Sequence, residues 1–298
     1  MIHYCVARDH QYTIDLFKKY VGGKLDRTVV TNLYGTPGLF SIEAGEQRPV
    51  FIFTDLDRLA VPSVLAKKWQ AFQASTPSAV CLNHPTRTFI RFELLKSLYR
   101  SKINRFDVHA AVDLEVPMRF PVFVRARGGH EGALTPLLHS RNDVAMAIEG
   151  LLDSRSMQEM MIVEYCDTAD GQGVFRKYSA FLIGDSFVPH HLQFSREWMV
   201  KRSTMDDERY LTEELDYVCN PDPYESQLRA VFAMANIGYG RVDYSLDSSG
   251  PQIWEINTNP MIVGEETPTG MRMKVREHVA GNMVSAFRQL AAAPPAAG

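Results

Sequence analysis

The chain has 298 residues, of which 45% are hydrophobic and 22% charged, with a formal net charge of −3. These values are typical of a globular protein with two or three packed lobes, and the charge gives no reason to expect nucleic acid as a partner. Four scattered cysteines without a Cys-x-x-Cys pair favour reduced thiols in a cytoplasmic protein. We find no apolar run of the signal-peptide or membrane-spanning kind.

The first part of the chain has the pattern of a small α/β lobe. Apolar residues recur at helical spacing from Gln11 to Tyr20 and from Ser63 to Ala74, and the apolar run from Pro49 to Thr54 predicts a buried strand. Asp55 and Asp57 follow that strand, where ligands of open α/β sheets bind, although a helix N-cap is the better expectation for such acids.

The next part combines cationic side chains with a glycine-rich loop. Thr88 to Ser101 predicts an amphipathic helix with a basic flank that includes Arg91, for which a solvated face is the alternative. Phe120 to Ala126 predicts a strand with Arg125 near its end, and the loop 127–132 follows at once. Because loop glycines let backbone N–H groups approach an anion and the arginine adds charge, we expect an anion site here.

Two further strands are predicted before the third lobe. The first is the apolar run from Met160 to Val163, which continues into Glu164-Tyr165-Cys166, and the second is the returning strand from Val174 to Ile183. Arg176 and Lys177 lie on the returning strand. One of them is expected to face a ligand, with the polar face of a sheet as the alternative.

A strand from Phe187 to Gln193 is predicted to begin the third lobe. It carries His190 and His191, which we expect on opposite faces because successive strand residues alternate, so they cannot bind one metal together. Lys201 follows this strand, within reach of a phosphate or a substrate.

A β-hairpin is predicted near the C-terminal end. Gly240 to Leu246 and Gln252 to Asn257 both alternate apolar with polar residues, and a turn of Asp, Ser and Gly joins them. The alternation places Glu255 and Asn257 on one face and Trp254 on the other, where it needs a core.

Antiparallel pairing across this turn brings Asp243 close to Glu255 and Asn257. Two carboxylates and an amide oxygen form a hard oxygen site that suits Mg²⁺, with Mn²⁺ as a substitute. A surface hairpin with solvated acids is the alternative. Arg241, two residues before Asp243, is expected on the same face.

The string from Asp243-Tyr244-Ser245 through Glu255-Ile256-Asn257-Thr258-Asn259-Pro260 closely resembles the C-terminal metal-binding signature of ATP-grasp enzymes. These include glutathione synthetase, D-alanine–D-alanine ligase and the ribosomal-protein glutamate ligases. In that family an Asp on one strand, and a Glu and an Asn two apart on the next, hold the Mg²⁺ ions that bridge the ATP phosphates. Asp243, Glu255 and Asn257 match those positions.

The resemblance implies a mixed α+β and α/β fold, the ATP-grasp fold, with three lobes and ATP between the central and C-terminal lobes. On this basis an N-terminal α/β lobe is expected over 1–85, and a linking helix with the central lobe over 86–185. The C-terminal lobe with the metal site is expected over 186–290, and a flexible tail over 291–298.

The resemblance also implies roles for individual residues. Arg91 and Arg125 match basic residues that contact the phosphates, although the family more often has Lys there. Arg241 matches a catalytic arginine that stabilises the transferred phosphoryl group or the acyl intermediate. The nucleotide ligands expected in this way are Arg91, Arg125, Gly128, Gly129, Glu164, Tyr165, Cys166, Lys177 and Lys201.

The implied activity is that of an ATP- and Mg²⁺-dependent ligase, in which a carboxylate forms an acylphosphate that an amine or a thiol then attacks. The expected partners are small-molecule or peptide carboxylates and amines, without nucleic acid or membrane; a homodimer is left open by analogy with the family. An ATP-grasp phosphotransferase and a catalytically quiet ATP-binding protein are the alternatives.

Overall fold

A computed structural model describes residues 1–59, 61–129 and 132–294. Within this part the chain forms three β-sheets and seven α-helices. The strands are β1 (Ile2–Val6), β2 (Val29–Leu33), β3 (Val50–Phe53), β4 (Val80–Leu82), β5 (Val108–Ala110), β6 (Val122–Ala126), β7 (Met160–Glu164), β8 (Phe175–Ile183), β9 (Ser186–Ser195), β10 (Tyr239–Asp247) and β11 (Gly250–Asn257). The helices are α1 (Tyr12–Tyr20), α2 (Pro62–Ser75), α3 (Arg91–Arg100), α4 (Arg141–Leu151), α5 (Glu208–Cys219), α6 (Glu225–Met234) and α7 (Gly270–Ala292).

The first sheet is parallel, with the strand order β2-β1-β3-β4. Its β3 strand and its helices α1 and α2 confirm the elements that the apolar patterns predict. Phe51 and Phe53 of β3 pack with Trp69 of α2 in an aromatic cluster on one face. Strand β1 forms the buried middle of this sheet, which no sequence pattern had indicated.

The second sheet is antiparallel, with the order β5-β7-β6. Helix α4 packs on it through Val144 and Ile148, which contact Val124 and Ile162 in one apolar cluster. The predicted strands of this region are therefore confirmed, whereas no pattern predicts the short strand β5.

The third sheet is antiparallel, with the order β11-β10-β8-β9. Strand β8 was predicted to return within the central lobe, but it pairs with β9 on one side and with β10 on the other. The chain turns tightly at Gly184, so that Ile183, at the end of β8, pairs directly with Ser186, at the start of β9. The predicted lobe boundary at residue 185 consequently falls inside a β-hairpin.

The long C-terminal helix covers the first sheet. Met283 and Phe287 of α7 lie in one buried cluster with Ile2 and Tyr4 of β1, so the two ends of the chain share a core. Helix α7 includes residues 291 and 292, the first two positions of the predicted tail. Positions 295–298 of that tail lie outside the described residues.

The four cysteines are free. No helix in the described ranges combines the length and the apolar character needed to cross a membrane.

A single buried asparagine joins the first sheet to the third. Asn83 follows β4 with a φ of 61°, in the left-handed region that asparagine tolerates better than most residues. Its Nδ2 donates to the carbonyls of Phe53 (3.1 Å) and Tyr239 (2.7 Å). Its Oδ1 accepts from the N–H groups of Gly238 (2.9 Å) and Tyr239 (3.1 Å). The residue that follows β4 therefore connects strand β3 with strand β10.

We expect Asn83→Ala to lower the free energy of unfolding by about 3 kcal/mol, because it leaves buried backbone groups unsatisfied and puts alanine in a left-handed conformation. Chemical denaturation of both proteins measures the loss. Asn220→Ala is the matched control, since the Asn220 amide is exposed and donates to the Asp216 carbonyl of its own helix. Equal losses in the two variants would contradict the bridging role of Asn83.

Candidate functional site

A cavity of about 390 Å³ lies where the three sheets meet. Its charged lining consists of four cations and two carboxylates among the described residues: Arg125, Lys177, Lys201, Arg241, Asp243 and Glu255. Strands β6, β8, β10 and β11 carry five of these side chains. The excess of cations over acids in a partly enclosed space favours an anionic ligand.

The two carboxylates of the cavity stand on paired positions of the hairpin. Asp243 on β10 lies directly opposite Glu255 on β11, and Arg241 lies opposite Asn257. The predicted hairpin and the closeness of these residues are therefore confirmed, and all four line the cavity. Opposite residues of an antiparallel pair lie close enough for their side chains to share a ligand.

The alternation of β11 is interrupted within this site. The register shifts after Asp243, because Tyr244 pairs with Ile253 and Trp254 is an extra residue. Trp254 was predicted to face away from Glu255, but this bulge brings its ring into the cavity lining. There its Nε1 donates to Ser245 Oγ (2.9 Å).

Glu255 is held by two arginines that are far away in the sequence. Its Oε2 accepts from Arg91 Nη2 (2.5 Å) and from Arg125 Nη2 (3.3 Å). Burial alone would raise the pKa of Glu255, but the two guanidinium groups hold it well below its ordinary value. Burial and the repulsion of Arg91 lower the pKa of Arg125 to about 10, so both partners are charged at neutral pH.

Asp243 is 3% exposed and forms an ion pair with Arg241. Arg241 Nε donates to Oδ1 (2.8 Å) and Nη2 to Oδ2 (3.2 Å), so the guanidinium engages both oxygens. Lys177 Nζ lies 3.9 Å from Oδ2. Burial lowers the pKa of Lys177 against the attraction of Asp243. Of the two basic residues predicted on β8, Lys177 faces the cavity, whereas Arg176 pairs with Asp170 and Glu213.

Asn259, near the end of the metal-binding signature, connects the first sheet to the segment that follows β11. The Asn259 Nδ2 donates to the Asp55 carboxylate (3.0 Å), and its Oδ1 accepts from Thr13 (2.7 Å) and Tyr4 (2.8 Å). Asp55 therefore binds another part of the protein instead of capping the helical turn that follows it. Tyr12 and Thr13 consequently form one wall of the cavity, a contribution that the sequence did not reveal.

The glycine-rich loop is anchored from two sides. Gly129 N–H donates to Asp57 Oδ2 (3.0 Å), and its carbonyl accepts from Arg91 Nη2 (2.9 Å). Gly132 has a φ of 84°, a left-handed backbone conformation that favours glycine, and it lies beside the Lys201 side chain. His130 and Glu131 of the predicted loop lie outside the described residues.

Of the predicted nucleotide ligands, five line the cavity: Arg125, Tyr165, Cys166, Lys177 and Lys201. Four do not, namely Arg91, Gly128, Gly129 and Glu164. Arg91 lies behind the wall, where it binds Glu255 and the loop carbonyls.

The prediction that the Glu164 side chain faces a nucleotide is not supported. Its carboxylate is buried and accepts from the Asp107 N–H (3.0 Å), the Arg119 N–H (2.8 Å) and Arg119 Nε (2.9 Å). Burial opposes its ionisation, but the nearby His109 ring and these donors lower the pKa of Glu164 to about 2. The strand pattern identified the right segment but not which way the side chain points.

An aromatic wall forms the end of the cavity near Tyr165. The Trp198 ring packs against Phe123 at 4.8 Å between centroids and against Tyr165 at 5.8 Å. All three residues line the cavity. Aromatic rings and cationic side chains that line the same cavity suit a ligand with a planar ring and an anionic chain.

The histidines of β9 were predicted on opposite faces, but their Nδ1 atoms lie 2.6 Å apart. The register shifts between Ser179 and Ala180 of β8, which leaves His190 as an extra residue. This second bulge turns two successive side chains toward each other.

Comparison with solved structures now identifies the fold. D-alanine–D-alanine ligase from Bacillus anthracis matches with 12% identity and a TM-score of 0.54, over 97% of this chain and 95% of the other. The same enzyme complexed with ATP matches with 11% identity and a TM-score of 0.50, over 97% and 98%. No protein-family model and no curated protein matches the chain. The protein has the ATP-grasp fold, as its resemblance to that family implied.

We expect Glu255→Gln to lower the free energy of unfolding at pH 7 by roughly 3 kcal/mol, because it leaves buried arginines without their counter-charge. Since the folded pKa of Glu255 is depressed, its stabilisation is present above the ordinary value of about 4.5 and is lost as the pH falls below it. The difference between variant and wild type should therefore narrow in acid. Chemical denaturation at neutral and acid pH measures it.

Glu213→Gln is the control, because it removes a more exposed partner of Arg176 and should cost under about 1 kcal/mol. A Glu255→Gln deficit that stays constant between pH 7 and about pH 3 would show that the charge of Glu255 is not what the two arginines require.

Proposed function

We propose that the protein is an ATP- and Mg²⁺-dependent ligase that joins a carboxylate to an amine or a thiol through an acylphosphate. The observation that carries this proposal is the paired carboxylates Asp243 and Glu255 within a cation-rich cavity of an ATP-grasp fold. Aromatic and cationic side chains line the same cavity, and this combination supports a nucleotide as the ligand. The ATP complex of the similar D-alanine–D-alanine ligase fits the same interpretation.

In this proposal the cations of the cavity bind and orient the phosphates. The Nε of Arg125 is buried and has no hydrogen-bond partner among the described residues, so it has a donor to offer an anion. Lys177 and Lys201 add two flexible donors from neighbouring parts of the wall. Arg241, which pairs with Asp243 in this structure, would supply a positive charge where the carboxylate and the terminal phosphate meet.

The residues present fit a magnesium ion. No group of three or more His, Cys, Asp or Glu in the described ranges is arranged for a metal, so a metal here would take two carboxylates, an amide and non-protein oxygens. Asp243, Glu255 and Asn257 would hold it, which is the oxygen donor set that Mg²⁺ prefers. Bound there, magnesium would neutralise charge on the phosphates.

The reaction needs no side-chain nucleophile. A carboxylate oxygen of the substrate attacks the terminal phosphorus and ADP leaves; the amine or thiol then attacks the acyl carbon, and phosphate leaves with the nucleophile's proton accepted by solvent. Positioning and charge neutralisation supply the catalysis. Tyr12, Thr13 and Met261, beyond Arg241, would contact the carboxylate substrate, which we expect to be a small molecule or a peptide. The free thiols fit a cytoplasmic location.

We expect Mg²⁺-ATP to raise the thermal unfolding midpoint of the wild type by roughly 5 °C at about 100 times its dissociation constant. Asp243→Asn should lose most of this shift, because it removes a charged oxygen ligand from the metal site. Differential scanning fluorimetry measures the shift. Asp185→Asn, the same substitution in the exposed turn after β8, should keep it in full.

Product analysis then separates ligation from phosphotransfer. ADP and free phosphate formed only when both a carboxylate and an amine or thiol are present support the ligase. A stable phosphorylated alcohol as the product would instead show that the protein is a phosphotransferase. A wild-type protein that shows no shift with Mg²⁺-ATP, alone or with candidate carboxylates, would refute the proposal.

A further inference from the structure

A row of four polar residues crosses the third sheet. His191 on β9 lies opposite Ser179 on β8, Ser179 lies opposite Asp243 on β10, and Asp243 lies opposite Glu255 on β11. Because directly opposite residues point to the same side of a sheet, the row ends in the two carboxylates of the cavity. Ser179 and His191 do not themselves line the cavity, so the row continues behind its wall.

Hydrogen bonds connect this row to Ile262, two residues after the end of the metal-binding signature at Pro260. Ser179 Oγ lies 2.9 Å from Asp243 Oδ1 and 2.8 Å from His191 Nε2. His191 Nδ1 lies 2.6 Å from His190 Nδ1, and His190 Nε2 lies 2.9 Å from the carbonyl of Ile262. The bulge at His190 makes the contact between the two rings possible. Four links thus run from a main-chain carbonyl to Asp243.

The protons of this chain can be placed by elimination. The Ile262 carbonyl only accepts, so His190 carries its proton on Nε2 and has a bare Nδ1. His191 must then donate from its Nδ1 to His190, which leaves its own Nε2 bare. Burial lowers the pKa of His190 to about 3 and that of His191 well below its ordinary value, so neither ring holds a second proton at neutral pH.

Ser179 therefore has one hydroxyl proton and two acceptors within bonding distance. One acceptor is Asp243 Oδ1 and the other is His191 Nε2. The two distances differ by only 0.1 Å, and Ser179 is fully buried, so water does not compete for either position. Rotation about one bond moves the proton from the carboxylate to the imidazole without leaving the hydroxyl unpaired.

We propose that Ser179 and His191 are positioning residues for Asp243. The Ser179 hydroxyl orients the Asp243 carboxylate by donating to Oδ1, and it turns to donate to His191 when a cation binds the carboxylate. This inference rests on the proposed function, because it gives the metal-binding role to Asp243. The relay lets the carboxylate exchange its hydrogen bond for a metal while the donor stays satisfied. Outer partners of this kind fix the orientation of a ligating carboxylate and raise its affinity for the ion.

The relay predicts a specific pattern of metal affinities. Ser179→Ala removes both positions of the proton and should weaken Mn²⁺ binding roughly 10-fold or more. Ser179→Thr keeps the hydroxyl and should restore the affinity. His191→Phe should also weaken binding, because the hydroxyl then has nowhere to turn. In the double variant Ser179→Ala/His191→Phe, loss of His191 should add nothing, because it acts only through Ser179.

The experiment titrates the full-length protein with Mn²⁺ in the presence of a saturating non-hydrolysable ATP analogue and follows free Mn²⁺ by electron paramagnetic resonance. Ser195→Ala is the matched control: Ser195 is also buried in this sheet, on β9, and its Oγ binds the Glu197 N–H instead of a cavity residue. Thermal unfolding of each variant without ligand shows whether it is folded.

Each outcome decides one point. A wild type that binds no Mn²⁺ with the nucleotide refutes the proposed function together with this inference. A wild type that binds Mn²⁺, with equal or tighter binding by Ser179→Ala, refutes the inference alone. Equal weakening in Ser179→Ala and Ser195→Ala, or additive losses in the double variant, would assign these residues to stability and not to positioning.

Discussion

The ion pairs of Glu255 with Arg91 and Arg125 are the interaction on which the site depends. They join helix α3, strand β6 and strand β11, which are separated by up to 164 positions in the chain. A carboxylate that is buried in this way is stable only with its counter-charges, and the arginines are stable there only with the carboxylate. Arg91 also holds the carbonyl of Gly129, so the same guanidinium sets the start of the glycine-rich loop.

The proposed ligands would give the cavity a second arrangement of charge pairs. In this structure, arginines form ion pairs with the carboxylates of Asp243 and Glu255. An anionic ligand with a divalent cation offers each partner a replacement: phosphate oxygens for the guanidinium groups and the metal for the carboxylates. The carboxylates are thus paired without a ligand, and in the proposed function they would exchange these pairs when a ligand binds, at a smaller cost than exposing unpaired charges.

Sequence patterns predicted the β10–β11 hairpin, the helices α1 to α3 and the strands β6 and β8, because those features repeat with the period of a strand or a helix, whereas the resemblance to ATP-grasp enzymes implied the nucleotide ligands on them. They failed where one residue breaks the period. The bulges at Trp254 and His190 each insert a position, which redirects Trp254 into the cavity and brings His190 against His191. Nor could a local pattern show that β8 pairs with β10, or that Thr13 reaches Asn259 across 246 positions.

Anomalous diffraction from a crystal grown with Mn²⁺ and a non-hydrolysable ATP analogue tests the central claim most directly, since it locates the metal independently of turnover. We expect a manganese peak within coordination distance of oxygens from Asp243, Glu255 and Asn257, with phosphates against Arg125 and the Glu255 ion pairs loosened. A peak elsewhere, or a nucleotide bound while both carboxylates keep all their arginine partners, would contradict it.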